Sequence, residues 1–384
     1  MKIGIVKERR AHERRCAVSP DTVKKYIGLG ATVAIETEAG LASAITDDAF
    51  RAAGAEIAAD AGAALADADL VLKVQRPLTA GEGGPDELAL LKKGAVLIAI
   101  LNPYSAKEAI VDYASRGVDA MAMEMIPRIT RAQSMDVLSS QANLSGYRAV
   151  IDAAAEFGRA FPMMMTAAGT VAPARVLVMG AGVAGLQAIA TARRLGAIVS
   201  ATDVRPAAKE QVNSLGATFV AVEDEEFKQA ETTAGYAKPM SPEYQAKQAA
   251  LTAETIKKQD IVITTALIPG RKAPELVSAE MVQSMKPGSV IVDLAVEQGG
   301  NCPLSELGQV VEKHGVKILG HANVPSRIAV DATSLYARNL LNFVQLLIDK
   351  ETKALKINWE DEIVKGVALT RDGQVIHPNF KQQA

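Results

Sequence analysis

The stretch VLVMGAGVAGLQAIATARRLGAIVSATD, residues 176–203, decides the fold of this 384-residue chain. It opens with an apolar run typical of a buried strand, continues with an apolar helical pattern, and ends in a second strand that closes on Asp203. Between the first strand and the helix lie Gly180, Gly182 and Gly185, in G-x-G-x-x-G spacing. Together these parts indicate a βαβ unit that binds a dinucleotide, although an ordinary glycine-rich βα turn is the alternative.

Each glycine of the motif has a separate physical role. Gly180 permits a tight turn, Gly182 lets the backbone approach a pyrophosphate, and Gly185 lets helix and strand pack closely. The first N–H groups of the helix and the positive end of its dipole then face the phosphates. Asp203 is placed to accept a hydrogen bond from an adenosine ribose hydroxyl, and its charge favours NAD over NADP. Arg205 works in the other direction, since it could pair with a 2′-phosphate.

Composition narrows the class of protein. The chain is 49% hydrophobic but only 4% aromatic, which is typical of buried parallel strands and packed helices. Its length predicts two or three domains. A net charge of −2 gives no reason to expect a nucleic-acid partner, and the two cysteines form no metal-binding or disulfide pattern. The cysteine pattern therefore predicts no bound metal. We find no signal peptide and no membrane span, and therefore predict a cytoplasmic protein.

Residues 1–125 alternate strand and helix patterns, which predicts a mostly parallel sheet covered on both faces. The predicted strands are Lys2–Lys7, Thr32–Glu38, Leu70–Val74, Ala95–Leu101 and Asp119–Glu124. The predicted helices are Asp21–Leu29, Asp47–Ala53, Ala61–Ala66 and Ala106–Arg116. No glycine fingerprint occurs here, so we assign no nucleotide to this part of the chain.

The rest of the chain predicts a second α/β unit. A long connecting helix is expected over Ser139–Phe161, followed by a loop or hairpin at 163–174 whose three methionines are expected in a buried or interfacial contact. Further strands are predicted near Val176 and Ile198 and at Thr218–Val222, Asp260–Ala266, Ser289–Ala295 and Val316–Leu319. The polar insert 223–248 is either a mobile lid or a surface loop. A helix over Arg327–Leu347 returns to the first unit, and the tail from 351 onward predicts a hairpin.

The segment EMIPRITRAQSMDVLSSQANLSGYRAV, residues 124–150, joins the two units. Four of its residues put charges and an amide beside the predicted NAD site: Arg128, Arg131, Gln133 and Asp136. Arg128 could pair with Asp136 or with the cofactor's phosphates. Gln133 could bond a ribose hydroxyl or a carboxamide. Ser139 and Ser140 are in position to cap the following helix.

The chain closely resembles the NAD(H)-binding subunit, domain I, of the proton-translocating nicotinamide nucleotide transhydrogenases. The resemblance covers nearly the whole length, and its most specific segments are PRITRAQSMDVLSSQANLSGYRAV, RAFPMMMTAAGTVAPARVLVMGAGVAGLQAIATARRLGA, GYAKPM, ITTALIPG and MKPGSVIVDLAVEQGGNCPLS. It implies hydride transfer between NADH, held here, and NADP(H), held on a partner subunit. It further implies a homodimer that is peripheral to the inner membrane through a membrane-spanning subunit.

Pattern and resemblance together predict an α/β fold of two Rossmann-like, doubly wound parallel-sheet domains. Long helices would join them, with a cleft between them. The N-terminal domain is predicted at 1–137 and completed by 327–384, and the NAD-binding domain at 138–326.

The resemblance also implies the site residues. The loop of Arg128, Gln133 and Asp136 would surround the nicotinamide as the catalytic group, with Gln133 reaching toward the partner's NADP(H). The family's mobile loop matches the insert that carries Tyr236. The expected NAD(H) contacts are Arg128, Ile129, Gln133, Asp136, Ser139, Gly180, Gly182, Val183, Gly185, Asp203, Val204, Arg205, Gly235, Tyr236, Ala266 and Leu267.

Direct transfer of a hydride between two nicotinamides needs close alignment of the rings but no general acid. A dehydrogenase that reduces a carbonyl needs such an acid, often a histidine, and none of the four histidines here has a recognisable catalytic setting. The scarcity of histidine therefore favours the hydride-only mechanism.

Alanine dehydrogenases are the rival family, and their oxo-acid site is similar at Arg15 and Lys73. This chain departs from them where Asn102 replaces a substrate-binding histidine and Glu297 replaces an aspartate. We therefore expect Arg15 and Lys73 to pair with local carboxylates, for instance Glu8 or Glu13. A module that only senses NAD is a third alternative.

Overall fold

A computed structural model describes residues 1–230, 240–268 and 270–381. The chain divides into two compact units. The first consists of residues 1–141 together with the chain from Ser326 onward, and the second of residues 142–325.

The first unit is built on six parallel strands. Its elements are, in chain order, β1 (Lys2–Ile5), α1 (Pro20–Gly28), β2 (Thr32–Glu36), α2 (Asp47–Ala52), β3 (Glu56–Ala58), α3 (Ala61–Leu65), β4 (Leu70–Gln75), β5 (Val96–Ile100), α4 (Lys107–Ser115) and β6 (Asp119–Ala122). The strands lie in the order β3-β2-β1-β4-β5-β6. Helices cover the sheet, so the strands β1, β4 and β5 are almost wholly buried, as parallel strands are.

Short polar side chains begin several of these helices. Ser19 and Thr22 form a reciprocal capping box at the start of α1, and Pro20 occupies the first helical position. Thr46 and Asp60 accept backbone N–H groups at the starts of α2 and α3.

The helix α5 (Val137–Glu156) carries the chain from the first unit into the second. The second unit continues with β7 (Met164–Thr166), β8 (Gly169–Val171), β9 (Arg175–Met179), α6 (Val183–Arg194), β10 (Ile198–Thr202), α7 (Ala207–Ser214), β11 (Thr218–Phe219), α8 (Glu225–Lys228), α9 (Pro242–Ile256), β12 (Ile261–Thr264), α10 (Ala279–Ser284), β13 (Val290–Asp293), β14 (Val310–Lys313) and β15 (Val316–Leu319). Its main sheet has the order β11-β10-β9-β12-β13-β15-β14, parallel except for β14. The strands β7 and β8 form a separate hairpin.

The last part of the chain packs on the first unit. Its elements are α11 (Ala329–Val344), α12 (Glu362–Val367), β16 (Thr370–Arg371) and β17 (Gln374–Val375). Three residues of α11, Tyr336, Leu340 and Phe343, are fully buried in the core of that unit. The predicted return of this helix to the first unit is therefore confirmed.

The predicted α/β fold with two parallel sheets of Rossmann type is confirmed, and the differences are local. The strands β3 and β14 and the helices α7, α10 and α12 were not predicted, because segments of three to eight residues carry little periodicity. The long helix ends at Glu156 instead of Phe161. After the helix end, Phe157 and Phe161 pack in the core and contact each other edge-on. The described parts of the insert 223–248 are largely helical, since Asp224 and Ser241 cap α8 and α9.

The three methionines before and in β7 were expected in a buried or an interfacial contact. The buried position is wrong, and the interfacial one stays a prediction. Met163, Met164 and Met165 are exposed by 60, 42 and 78%. A two-stranded hairpin has too little area to bury three side chains by itself. Among the described helices, none has both the length and the apolar character to cross a membrane.

A close contact between α5 and α6 gives a first test. A Cβ atom at Gly146 would lie 2.0 Å from the carbonyl oxygen of Ala184, in the first turn of α6. Alanine normally stabilises a helix relative to glycine by about 1 kcal/mol, but here overpacking should dominate and cost about 1–3 kcal/mol. We expect Gly146→Ala to lower the thermal unfolding midpoint, measured by circular dichroism.

The matched control is Gly28→Ala in α1, where a Cβ atom would meet no other atom within 4 Å. It should leave the midpoint unchanged or slightly higher. Equal midpoints for the two variants would contradict the importance of the Gly146 contact.

Candidate dinucleotide site

The glycine turn joins β9 to α6 in the second unit. Gly180 has a φ of +103°, which side chains other than glycine rarely adopt. A Cβ atom at Gly185 would lie 1.8 Å from the carbonyl oxygen of Gly180, whereas one at Gly182 would meet nothing within 4 Å. Gly180 and Gly185 thus have the conformational roles predicted for them, and Gly182 leaves the space in front of the turn open.

The helix α6 starts directly behind this open space. Its N-cap residue is Gly182, which has no side chain to bond the first N–H groups of the helix. Those groups and the positive end of the helix dipole suit an anion such as a pyrophosphate. Thr265, which the sequence analysis missed, supports the turn by donating its hydroxyl to the carbonyl oxygen of Gly180 at 3.1 Å.

Asp203 links the end of β10 to the glycine turn. Its Oδ2 accepts the N–H of Ala181 at 2.7 Å, and its Oδ1 accepts the N–H of Arg205 at 2.8 Å. The guanidinium of Arg205 also donates to both carboxylate oxygens, at 2.9 and 3.0 Å. A ribose hydroxyl bonding Asp203 would therefore share the carboxylate with Arg205 or displace it.

Exposed apolar side chains follow three neighbouring strands at this edge of the sheet. Val183, Val204 and Leu267 are exposed by 41, 46 and 48%. They follow β9, β10 and β12, which are neighbours in the sheet, so their chain segments leave from the same edge. The strand order reverses between β9 and β12, and such a point is where open α/β sheets bind ligands. An apolar edge beside an anion site suits the adenosine half of a dinucleotide.

The structure gathers the second-unit residues of the predicted site at this edge. They are Gly180, Gly182, Val183, Gly185, Asp203, Val204, Arg205, Ala266 and Leu267. Gly235 and Tyr236, which were also predicted, lie outside the described residues.

The remaining predicted residues lie in one segment of the first unit, before α5. Arg128 and Gln133 are exposed, and Ile129 packs partly against the core. A 3₁₀ helix spans Thr130–Met135, anchored by the buried side chains of Ala132 and Met135. The segment therefore presents a charge and an amide on a backbone that the core holds in place.

The expected cap of α5 is corrected. Asp136 caps the helix, and neither Ser139 nor Ser140 does. Its carboxylate accepts the backbone N–H of Ser139 at 2.9 Å and the hydroxyl of Ser139 at 2.5 Å. The helix starts earlier than predicted, at Val137, so Asp136 occupies the capping position. Arg131 pairs with Asp361 through two bonds of 2.8 and 2.9 Å and so belongs to the contact with the C-terminal part.

Glu124 is a residue near this segment that the sequence analysis did not single out. Its carboxylate accepts the N–H groups of Leu101 and Asn102, at 2.9 and 2.5 Å, and thereby holds the loop after β5. Asn102 adopts the left-handed region with φ +51°. Burial raises the pKa of Glu124 to about 7, although these backbone N–H groups favour the carboxylate and oppose the rise.

Arg15 and Lys73 are closed off by carboxylates of the chain itself. Arg15 donates to both oxygens of Glu13, at 2.8 and 2.7 Å, and to Gln141 at 2.9 Å. The Nζ of Lys73 lies 3.3 Å from Glu8 and 3.2 Å from Glu87. The expected pairing of Arg15 and Lys73 with local carboxylates is confirmed.

The parallel sheets and the glycine turn define a protein of the dinucleotide-binding α/β class. Family models for the alanine dehydrogenase/PNT N-terminal domain and C-terminal domain match residues 4–145 and 149–378. The chain therefore belongs to the alanine dehydrogenase/PNT family, and the predicted resemblance is confirmed.

Two relatives from the transhydrogenase side of the family are very similar. The chain is 62% identical over 383 residues to a Rhodospirillum rubrum protein named as the first part of NAD(P) transhydrogenase subunit alpha, with 100% of both chains covered. A crystal structure of transhydrogenase from Sinorhizobium meliloti has 57% identity and a TM-score of 0.88, covering 98% of this chain and 100% of that one. Alanine dehydrogenase from Methanococcus maripaludis is less similar, at 31% identity over 388 residues covering 98% of this chain and 95% of that one.

The raised pKa of Glu124 predicts a pH dependence of stability. Because the folded chain binds this proton more tightly than the unfolded chain, the contribution is complete below the unfolded pKa of about 4.5 and is lost as the pH rises through about 7. The free energy of unfolding of the wild type, relative to Glu124→Gln, should fall by about 1–3 kcal/mol between pH 5 and pH 8. Urea titrations at several pH values measure it.

Glu108→Gln on the exposed side of α4 is the control and should show little such change. If the difference between the wild type and Glu124→Gln stays constant from pH 5 to pH 8, Glu124 does not titrate in this range.

Proposed function

We propose that this chain is the NAD(H)-binding subunit of a proton-translocating NAD(P) transhydrogenase. It would transfer a hydride between NADH, bound here, and NADP+, bound on a partner subunit. The glycine turn with its open Gly182 and the apolar edge beside it carry this proposal, because they suit the pyrophosphate and adenosine of a dinucleotide. The proposed reaction is supported by the similarity to proteins named NAD(P) transhydrogenase subunit alpha.

Binding at the adenosine end is assigned to the second unit. Gly180, Gly182 and Gly185 would surround the pyrophosphate, and Asp203 would accept a ribose hydroxyl in competition with Arg205. The apolar contacts would come from Val183, Val204, Ala266 and Leu267. Gly235 and Tyr236 belong to this proposed set through the resemblance.

The nicotinamide end is assigned to the segment from Arg128 to Ser139. A reduced nicotinamide supplies a hydride from its ring, so this chain needs to orient the ring and exclude water but not to move a proton. We assign Gln133 to contact with the partner's nucleotide because its side chain is exposed. Asp136 and Ser139, tied together at the start of α5, would bind the carboxamide and ribose region, flanked by Arg128 and Ile129.

Partners are part of the proposal. The Rhodospirillum rubrum relative is named as one portion of a subunit, which supports further subunits for this chain, one holding NADP(H) and one spanning the membrane. We also propose a homodimer, since Met163, Met164 and Met165 form an exposed apolar group that suits a protein contact. The chain would be cytoplasmic and would reach the inner membrane only through these partners.

Cofactor preference follows from Asp203. NADH should bind, and NADPH should bind at least about tenfold more weakly, because the buried carboxylate would repel a 2′-phosphate and already engages the guanidinium of Arg205 that could attract it. Fluorescence titration of the chain with each nucleotide measures both affinities. Replacing Asp203 by Asn should narrow the difference, and equal affinities for the wild type would refute the preference.

Reconstitution tests the reaction. The chain alone should show negligible transhydrogenation, and adding the NADP(H)-binding partner should restore it. Gln133→Asn should slow hydride transfer at least about tenfold with little change in NADH affinity, because it withdraws an amide that faces the other nucleotide. A matching loss of NADH affinity would contradict this role.

The two alternative functions predict different results in binding and activity assays. Rapid NADH consumption with pyruvate and ammonia would establish an alanine dehydrogenase, a function that the closed pairing of Arg15 with Glu13 disfavours. NADH binding without activity, after several matched partners have been tried, would favour a sensing module.

A further inference from the structure

A buried amide lies at the carboxyl ends of β12 and β13. Asn301 is 0% exposed, and its Nδ2 donates to the carbonyl oxygens of Ala266 and Pro274, at 2.9 and 2.7 Å. Its Oδ1 accepts the N–H of Ala266 at 3.0 Å. Only one orientation of the amide satisfies an N–H group and two carbonyl groups together, so the network determines which atom is nitrogen.

This amide extends the sheet beyond its last strand residue. The strand β12 ends at Thr264, and Asn301 then bonds both backbone groups of Ala266 as a neighbouring strand would. The backbone at Ala266 is thereby fixed, although it lies in a loop. The next two residues, Leu267 and Ile268, are exposed by 48 and 42%.

Asp293 holds Asn301 in turn. Its buried carboxylate accepts the N–H groups of Asn301 and Cys302, at 2.9 and 3.1 Å, and the hydroxyl of Ser305 at 2.7 Å. A Cβ atom at Gly300 would lie 2.8 Å from Asp293, so the turn before Asn301 is fitted closely around the carboxylate. A buried charge with this many donors is stably held and leaves its partners little freedom.

We propose that Asn301 is a positioning residue for the dinucleotide. It fixes the Ala266 backbone so that Leu267 is placed in advance in the apolar edge formed with Val183 and Val204. Ordering this loop then costs less free energy when the dinucleotide binds. The inference rests on the proposed function, because it assigns that edge to the adenosine half of NAD(H).

NADH affinity of the full chain is the first test. Asn301→Ala should raise the dissociation constant about tenfold, because the loop must then be ordered on binding. The control is Ser289→Ala, which removes a buried hydroxyl at the opposite end of β13, bonded only weakly to Gln259 at 3.4 Å, and should change the constant less than about twofold.

Titrations are made well below the unfolding midpoint of each variant, so that they report on folded protein. A lowered midpoint with unchanged NADH affinity for Asn301→Ala would assign Asn301 a purely structural role and overturn the proposal.

The pH profile of Asn301→Asp is a second test. The new side chain has the same size and keeps the acceptor for Ala266 but places a carboxylate against two carbonyl oxygens. NADH affinity should be lowest near pH 8 and recover at least about threefold by pH 5.5, where a protonated carboxyl group can donate to one carbonyl. The wild type and Ser289→Ala define the background profile. No recovery beyond that background would count against the proposal.

Hydrogen exchange of the unliganded wild-type chain covers the case in which the variants do not fold. The amide of Ala266 should exchange at least about 100-fold more slowly than an unstructured amide, and fast exchange would overturn the proposal. A wild-type chain that does not bind NADH would refute the proposed function, and this role with it. A wild type that binds, with Asn301→Ala binding equally well, would refute only the role of Asn301.

Discussion

The absence of a side chain at Gly185 is the constraint on which the second unit depends. The helix α6 approaches β9 so closely that a Cβ atom there would lie 1.8 Å from the backbone oxygen of Gly180. This approach puts the start of α6 directly behind the end of β9. Gly146 also lacks a side chain, and this lets α5 lie against the first turn of α6. The absence of side chains at Gly185 and Gly146 thus determines where the anion-binding end of α6 lies.

A second principle recurs at the carboxyl edges of both sheets. Parallel strands leave backbone N–H groups at their ends, and these groups need partners when they are buried. Here a side chain from the end of the neighbouring strand, or from the loop that follows it, supplies the acceptor. Asp203 does so for Ala181, Glu124 for Leu101, and Asn301 for Ala266. The first unit has two further examples, which are Glu36 with Lys7 and Glu8 with Val74. The loops that carry candidate binding residues are therefore held by neighbouring loops more than by their own sequences.

This principle explains which features could be predicted from the sequence. Most of the sheet strands and the glycine turn depend on local apolar pattern and on spacing within about thirty residues, so they were predictable, whereas the short strands β3 and β14 were not. The partnership of Asn301 with Ala266 joins residues 35 positions apart, and an asparagine in a glycine-rich loop carries no local signal of it. The cap of α5 was missed for a smaller reason. Asp136 and the serines after it are all good capping residues, and only the true start of the helix at Val137 decides among them.

The two units treat their polar groups in opposite ways, and this bears on the chemistry. In the first unit, Arg15 and Lys73 are buried and paired with carboxylates of the same chain. An external carboxylate would have to displace Glu13 from Arg15. Because Glu13 belongs to the same chain, its effective concentration beside Arg15 is far above the concentration of a free metabolite. Displacement would also leave Glu13 buried without its partner, at a cost of several kcal/mol. In the second unit, an open glycine turn and exposed apolar side chains are available instead. A reaction between two nucleotides, which needs no oxo-acid site and no side-chain acid, is consistent with both arrangements at once.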